Sequence, residues 1–273
     1  MSDPITLAVL AGAAAGGAAG KFTEIAVESG KNWIGKYFKN HQPKSQEKAQ
    51  QNGLDFLVEL STRIKILEDT QKVTQEKIEK IQEDPDFSAA LQKALISSAQ
   101  TENKEKHSLL AELLAQRLSV ESESIQALTT KMALDLVSFL TPNQLNILGF
   151  TFLIFFISPV DIKNQYHYDD WLRINFEKFR NIEITQMDLV HLETLSCLKL
   201  NMSKGYSIEK ILRINESNIV VSNNFLESQL GKDLLKNWTS KLEHITLTSL
   251  GLLLASTIIQ IKLEIDVVKD LFQ

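Results

Sequence analysis

Cysteine is almost absent from this chain. Cys197 stands alone, which excludes an internal disulfide and any cysteine-based zinc site. Proline is nearly as scarce: Pro4, Pro43, Pro85, Pro142 and Pro159 are the whole set. Between them run long stretches of Leu, Ile, Lys, Glu and Gln in which helix is the favoured state. Glycine is sparse, 11 residues in 273, yet four of them crowd between Gly12 and Gly20. A basic excess is also missing. The 29 Lys and Arg face 34 Asp and Glu, a net charge of −5, whereas nucleic-acid binding needs concentrated cations; no nucleic-acid partner is expected.

Catalytic signatures are lacking too. There is no Gly-rich phosphate loop ending in Lys-Ser/Thr, no Gly-x-Ser-x-Gly and no His-Glu-x-x-His. His191 and Glu193 lie two apart in a helical stretch and so do not share a face. Cys197 has no visible histidine partner and reads as a small core residue. Asp169 and Asp170 read as capping groups. Tyr166, His167, Tyr168 and Trp171 form the densest aromatic cluster, either a partner surface or a loop packed on the body. The expectation is a protein that is not an enzyme and needs neither cofactor nor metal.

Long apolar runs are few. Ile147–Ile157 is intensely apolar but far short of the roughly 18–20 residues that a membrane span requires. Ile245–Ile261 is uncharged and broken by Thr246, Thr248, Ser249, Ser256, Thr257 and Gln260. Both read as core helices. Pro4–Gly20 carries no charge, but it is Ala/Gly-rich and follows Asp3 with no basic residue ahead, the reverse of a secretory signal.

That N-terminal run holds the sharpest pattern. Ala8, Gly12, Gly16 and Gly20 recur every four residues and form one small-residue stripe on a helix. Such stripes let helix backbones meet closely in lipid, while in water each interior Gly costs about 0.5–1 kcal/mol relative to Ala. Phe22, Ile25, Trp33 and Tyr37 continue an apolar face. Trp33, Lys36, Tyr37, Phe38 and Lys39 mix amphipathic aromatics with lysines, a composition suited to a headgroup region. Residues 1–44 hold five lysines and three acids, a local basic excess. Ile5–Gly20 as helix spans roughly 24 Å, slightly less than a bilayer core of about 30 Å. The competing readings are a helix packed on a soluble body and a disordered tail.

After a polar hinge at residues 41–48, Leu57, Leu60, Ile64, Leu67, Gln71, Thr74, Ile78 and Ile81 alternate three and four apart, which predicts one helical seam over 57–81. The seam serves either self-association or packing on the same chain. Asp84-Pro85-Asp86 ends it and caps the next helix; Ser122 or Ser124 and Thr141-Pro142 start others. Thr185 is expected to cap a helix reaching about Asn201, followed by helices over 225–241 and 245–271. Strand signals are limited to Ile219–Val221 and Ile261–Ile265. The expected fold is an all-α multi-helix bundle in three parts: a membrane-active segment 1–40, a hinge and heptad helix 41–84, and a helical body 85–273.

Thr141-Pro-Asn-Gln-Leu-Asn-Ile-Leu-Gly149, His191-Leu-Glu-Thr-Leu195 and Leu247-Thr-Ser-Leu-Gly-Leu252 resemble an uncharacterised bacterial family of helical proteins. Joined to the glycine stripe, the layout also looks like bacterial antiphage effectors that open membrane pores after oligomerising on a phage-made assembly. That resemblance implies a helical body as sensor, a ring-shaped phage assembly as trigger, and the N-terminus as effector. Its partners would be further copies of the chain and membrane lipid. The protein would be cytoplasmic at rest and at the inner membrane when activated.

Overall fold

The computed structural model describes residues 29–74, 84–121, 123–160, 162–201, 205–214 and 219–265. The fold is all-α apart from two short strand pairs. Ala8, Gly12, Gly16, Gly20, Phe22 and Ile25 lie outside the described residues, as do Ile78 and Ile81. The chain divides into two compact units, Met1–Leu140 and Thr141–Gln273. The helix that carries Leu57, Leu60 and Ile64 shares a unit with the helices that follow it.

In the first unit residues 29–37 are helical, and α1 (Pro43–Asp69) follows after a short turn. The polar stretch expected to be a hinge is thus mostly helix, because Pro43 fits the first turn and Lys, Gln and Glu are good helix formers. Ala49, Gly53, Phe56, Leu57, Leu60 and Ile64 are buried along one face. This face packs on α2 (Pro85–Ala99) and α3 (Lys104–Arg117). The helix ends at Asp69 and does not run on to Ile81. Gln71 takes a left-handed φ of 53°, and the Gln71 and Lys72 amides donate back to Glu68 and Leu67. Polar Gln71 and Thr74 offered too little apolar face to carry the seam further.

The Asp84 carboxylate caps α2 by accepting from the Asp86 amide, with Pro85 beside it. Asn103 caps α3 in the same manner. Helix α3 is buried on nearly every side, so even Glu112 and Arg117 are enclosed. Ser124, rather than Ser122, caps α4 (Ile125–Leu136), and a 3-10 turn (Val137–Phe139) completes the unit.

In the second unit α5 (Pro142–Phe156) opens with the capping box of Thr141 and Gln144 and buries Ile147–Ile154. It packs along α11 (Ser249–Leu263), so the two apolar runs read as core helices are partners. Gly149 makes the approach possible: a Cβ there would stand 2.6 Å from Ile258 Cγ2. Between them come α6 (Gln165–Glu177), α7 (Gln186–Thr194), β1 (Leu198–Leu200), α8 (Ile208–Ile211), β2 (Arg213–Ile214), β3 (Ile219–Val220), α9 (Asn223–Glu227), α10 (Gln229–Trp238) and β4 (Ile245–Leu247).

Three helix expectations are corrected here. The Thr185-capped helix stops at Thr194, where Ser196 turns left-handed at φ 58°, and the chain then forms β1. The helix expected over 225–241 breaks at Ser228, which closes α9 and caps α10. Ile245–Leu247 is strand, pairing antiparallel with β1 in the register Leu198↔Leu247. Helix α11 starts only after Thr248, which hydrogen-bonds the Cys197 carbonyl and caps the Gly251 amide. Ile219–Val220 is a strand, paired with β2, but Ile261–Leu263 is helix. No helix among the described residues is long and apolar enough to cross a membrane.

Candidate functional site

The C-terminal end of the predicted membrane-active segment is a docked element of the first unit. Trp33 and Ile34 are 0% exposed and Phe38 is buried, whereas Tyr37 is 46% exposed and Lys31, Lys36 and Lys39 face outward. The expected headgroup mixture therefore splits by face. Two of its aromatics belong to the protein interior, because the helix over 29–37 lies against α1 with Ile34 pointing into it.

Gly53 forms the receptor for that contact. A Cβ at this position would stand 2.1 Å from Ile34 Cδ1 and 3.4 Å from Leu95 Cδ1, so the missing side chain is the space Ile34 fills. Gln46 Nε2 donates to the Gly35 carbonyl at 3.0 Å, tying the two helices side chain to backbone. Trp33 stacks on Tyr37 at a centroid distance of 5.5 Å, and Phe38 meets Tyr37 and His41 edge-on at 5.1 Å each. The Trp33 indole N–H is buried without an acceptor among the described residues. Neither Ile34 nor Gly53 was singled out from the sequence. The available signal was Gly53 itself, a lone glycine inside a long helical pattern, which usually has a packing reason.

The proposed seam is filled from within the chain. Leu57, Leu60 and Ile64 are buried against α2 and α3, and Leu67 is half-buried. Beside it Arg63 bridges Glu59 at 2.8 Å and Glu112 at 3.4 Å, a polar clamp between α1 and α3.

The second unit holds a cleft of about 300 Å³ between α10 and the turn after α6. Phe150, Phe176 and Phe179 form its floor, but all three are buried against one another, and Lys262 already covers Phe179 at 5.7 Å. Its polar groups are largely committed. Asn237 donates to the Ile182 carbonyl and accepts from the Ile184 amide, Arg180 pairs with Glu177, and Asp233 accepts from Gln229. These bonds hold the turn onto α10 rather than converge on a ligand.

The remaining candidates are structural. Burial pushes the Cys197 thiol up to about 12, far from a reactive thiolate, and its sulfur lies 3.8 Å from the Leu195 carbonyl. His191 Nδ1 sits 3.2 Å from Gln144 Oε1, and Glu193 accepts from the Leu200 amide. Tyr168 is buried, its hydroxyl donates to the Leu212 carbonyl, and burial raises its phenol above the ordinary value. It stacks near Trp171 at 6.2 Å, while Tyr166 points outward. The aromatic cluster is thus divided between core and surface on α6. No group of three His, Cys, Asp or Glu among the described residues is placed to hold a metal ion.

No curated protein and no solved structure matches the chain. A family model does match residues 20–237, a stretch that includes the docked helix and most of both units. The chain belongs to the family that this model describes, an uncharacterised family of helical proteins.

Proposed function

We propose that this protein is a regulated, non-enzymatic membrane effector whose helical body holds a glycine-striped N-terminal segment until a trigger frees it. The observation that carries the reading is the junction. The charge-free run Pro4–Gly20 is followed by a helix whose Trp33, Ile34 and Phe38 are fixed in the first unit. A segment of this composition, attached to a body by its aromatic end, suits regulated delivery to lipid.

The part that enters the membrane is then shorter than residues 5–38. Taking Trp33, Ile34 and Phe38 out of the core forfeits about 1.5–3 kcal/mol for each large apolar side chain. Residues 29–38 serve as the mount. Glu24 and Glu28 oppose single insertion, since a charge at the bilayer centre costs about 2.5–3.5 kcal/mol even on the lenient insertion scale. Association of several copies, on one another or on a ring-shaped phage assembly, turns those charges toward neighbours or water. The proposed site of action is the inner membrane of a bacterial cell, reached from the cytoplasm.

The test is dye release from vesicles of phosphatidylethanolamine and phosphatidylglycerol, with full-length protein and a variant lacking residues 1–28. Cutting after Phe38 would damage the first unit and confuse the result. Leakage that rises steeply with protein concentration and vanishes in the shortened variant supports the effector. Burial of Trp33, Ile34 and Phe38 also favours a second reading, a helical scaffold or adaptor with a permanently packed N-terminal helix. Intact vesicles at every concentration of the full-length chain would establish that reading instead.

A further inference from the structure

Helix α4 (Ile125–Leu136) has two apolar faces. One, with Ala127, Ala133 and Leu134, is buried, and the helix packs on α2 and α3. The other faces outward: Ile125 is 75% exposed, Leu128 50%, Met132 53% and, in the turn that follows, Phe139 63%. These positions form one stripe about 20 Å long, with the half-buried Leu136 beside it. An outward helix face is ordinarily polar, and one left apolar marks a contact. The other exposed large apolar side chains described in the first unit, Tyr37, Val58 and Ile66, stand apart from one another along the chain. The charges at the two ends of the stripe differ in sign. Glu121 and Glu123 are exposed at its start. At its far end Lys106 Nζ donates to the Ser138 carbonyl at 3.5 Å, and Lys93 bridges Asp135 at 2.7 Å. Lys106 is partly buried, and that burial lowers its ammonium below the ordinary lysine value with no carboxylate among the described residues to offset it.

We propose that the stripe of Ile125, Leu128, Met132 and Phe139 is the face by which two copies of this chain pair, antiparallel about a two-fold axis between Leu128 and Met132. A two-fold operator sets one patch against itself, so the patch must be complementary to its own reverse. In this register Leu128 of one copy meets Met132 of the other, Ile125 meets Leu136, and Glu121 comes beside Ser138 and Lys106. The exposed acid at one end thus reaches the ammonium that holds only a carbonyl at the other. A parallel pairing would instead set Glu121 and Glu123 against their own counterparts. The four side chains expose on the order of 500 Å² per copy, as much as the largest apolar patch of an ordinary monomer. Two such patches bury about 1,000 Å², the threshold of a specific interface, and the charged rim adds to it. The Leu57–Ile64 seam is not available for this purpose, being filled by α2 and α3. Pairing supplies the association that the membrane reading invokes, but it stands on the solution state alone.

Sedimentation equilibrium of the full-length chain, from about 1 to 200 µM, tests the pairing. A reversible dimer with a Kd on the order of 10 µM is expected for an interface of this size. Leu128→Gln together with Met132→Gln should raise that Kd roughly tenfold or more. Helix content and thermal midpoint should stay the same, because both side chains are exposed and Gln is a good helix former. Glu121→Lys and Lys106→Glu should each weaken the dimer about threefold, and the two in one chain should restore it. Lys106 lies in the first turn of α3 and Glu121 beyond its last, so the rescue can come only across copies. A monomer at every concentration overturns the proposal, whether the stripe is bare or covered by another part of the same chain. A dimer that the double glutamine variant leaves intact overturns it as well, and points to pairing elsewhere. A charge swap that fails to rescue overturns the antiparallel arrangement. Leakage from vesicles without a dimer removes the pairing and leaves the membrane reading; a dimer with intact vesicles does the reverse.

Discussion

Asp86, at the first turn of α2, receives Lys131 Nζ on one carboxylate oxygen and Arg117 Nη2 at 3.4 Å on the other. The Lys131 ammonium, and with it the Arg117 guanidinium, holds the Asp86 carboxyl below its ordinary value of 3.8 against the opposing pull of burial. A carboxyl whose folded value is depressed contributes stability that is whole above the unfolded value and drains away as the pH falls through the folded one. Asp86→Asn should therefore lower the denaturation midpoint at pH 7, and its deficit relative to the parent should shrink below pH 3.8. Denaturant titrations at pH 7 and at pH 2.5–3.5 measure this, and a deficit unchanged by acid would contradict it. Arg117 deepens the effect because it is 3% exposed at its side chain, with Asp84, 3.7 Å away, as its other carboxylate. The sequence marks Asp84 and Asp86 as capping residues. That they also hold a buried arginine from α3 follows from tertiary geometry alone.

At the scale of the element, helix starts were legible and helix ends were not. Thr141-Pro142 is a start signal written in adjacent residues, and the structure completes it with Gln144 in a reciprocal pair. Thr141→Ala should cost about 1 kcal/mol of stability in the second unit, typical of a lost N-cap, and Thr141→Ser should restore most of it. Thermal unfolding of both variants decides the point; an Ala variant as stable as the parent would show that Pro142 alone starts the helix. The ends at Asp69, Thr194 and Trp238 were misjudged for one reason. Each is followed by a non-glycine residue in a left-handed conformation: Gln71, Ser196 and Ser240. Side chains rarely adopt that conformation unaided, so no local propensity announces it. The strand pair β1–β4 was missed on similar grounds, since Leu198-Lys-Leu200 acquires its edge partner only when Ile245–Leu247 is brought beside it.

For the molecule as a whole, the two units make distinct demands on where the chain can be cut. Residues 141–273 contain both apolar helices, α5 and α11, packed on each other, and should express as a folded helical domain. Residues 85–273, the body expected from the sequence, should be worse. They retain α2 and α3 but remove α1, the helix on which both pack and whose Gly53 lies beside Leu95. Circular dichroism and size-exclusion chromatography of the two fragments compare them directly. A monodisperse, cooperatively melting 85–273 would mean that α1 is dispensable to the first unit. The all-α class, the capping residues, the core character of the two long apolar runs and the unusual glycine spacing were all determined by the sequence, because each depends on residues within a few turns of one another. Only the tertiary structure decided that Trp33 and Phe38 are core while Tyr37 is surface, and that the Leu57–Ile64 seam is occupied by α2 and α3. It alone decided that Gly53 is a socket for Ile34. Those outcomes depend on which helix lies opposite, and an amphipathic pattern states that a face must be covered without stating by what.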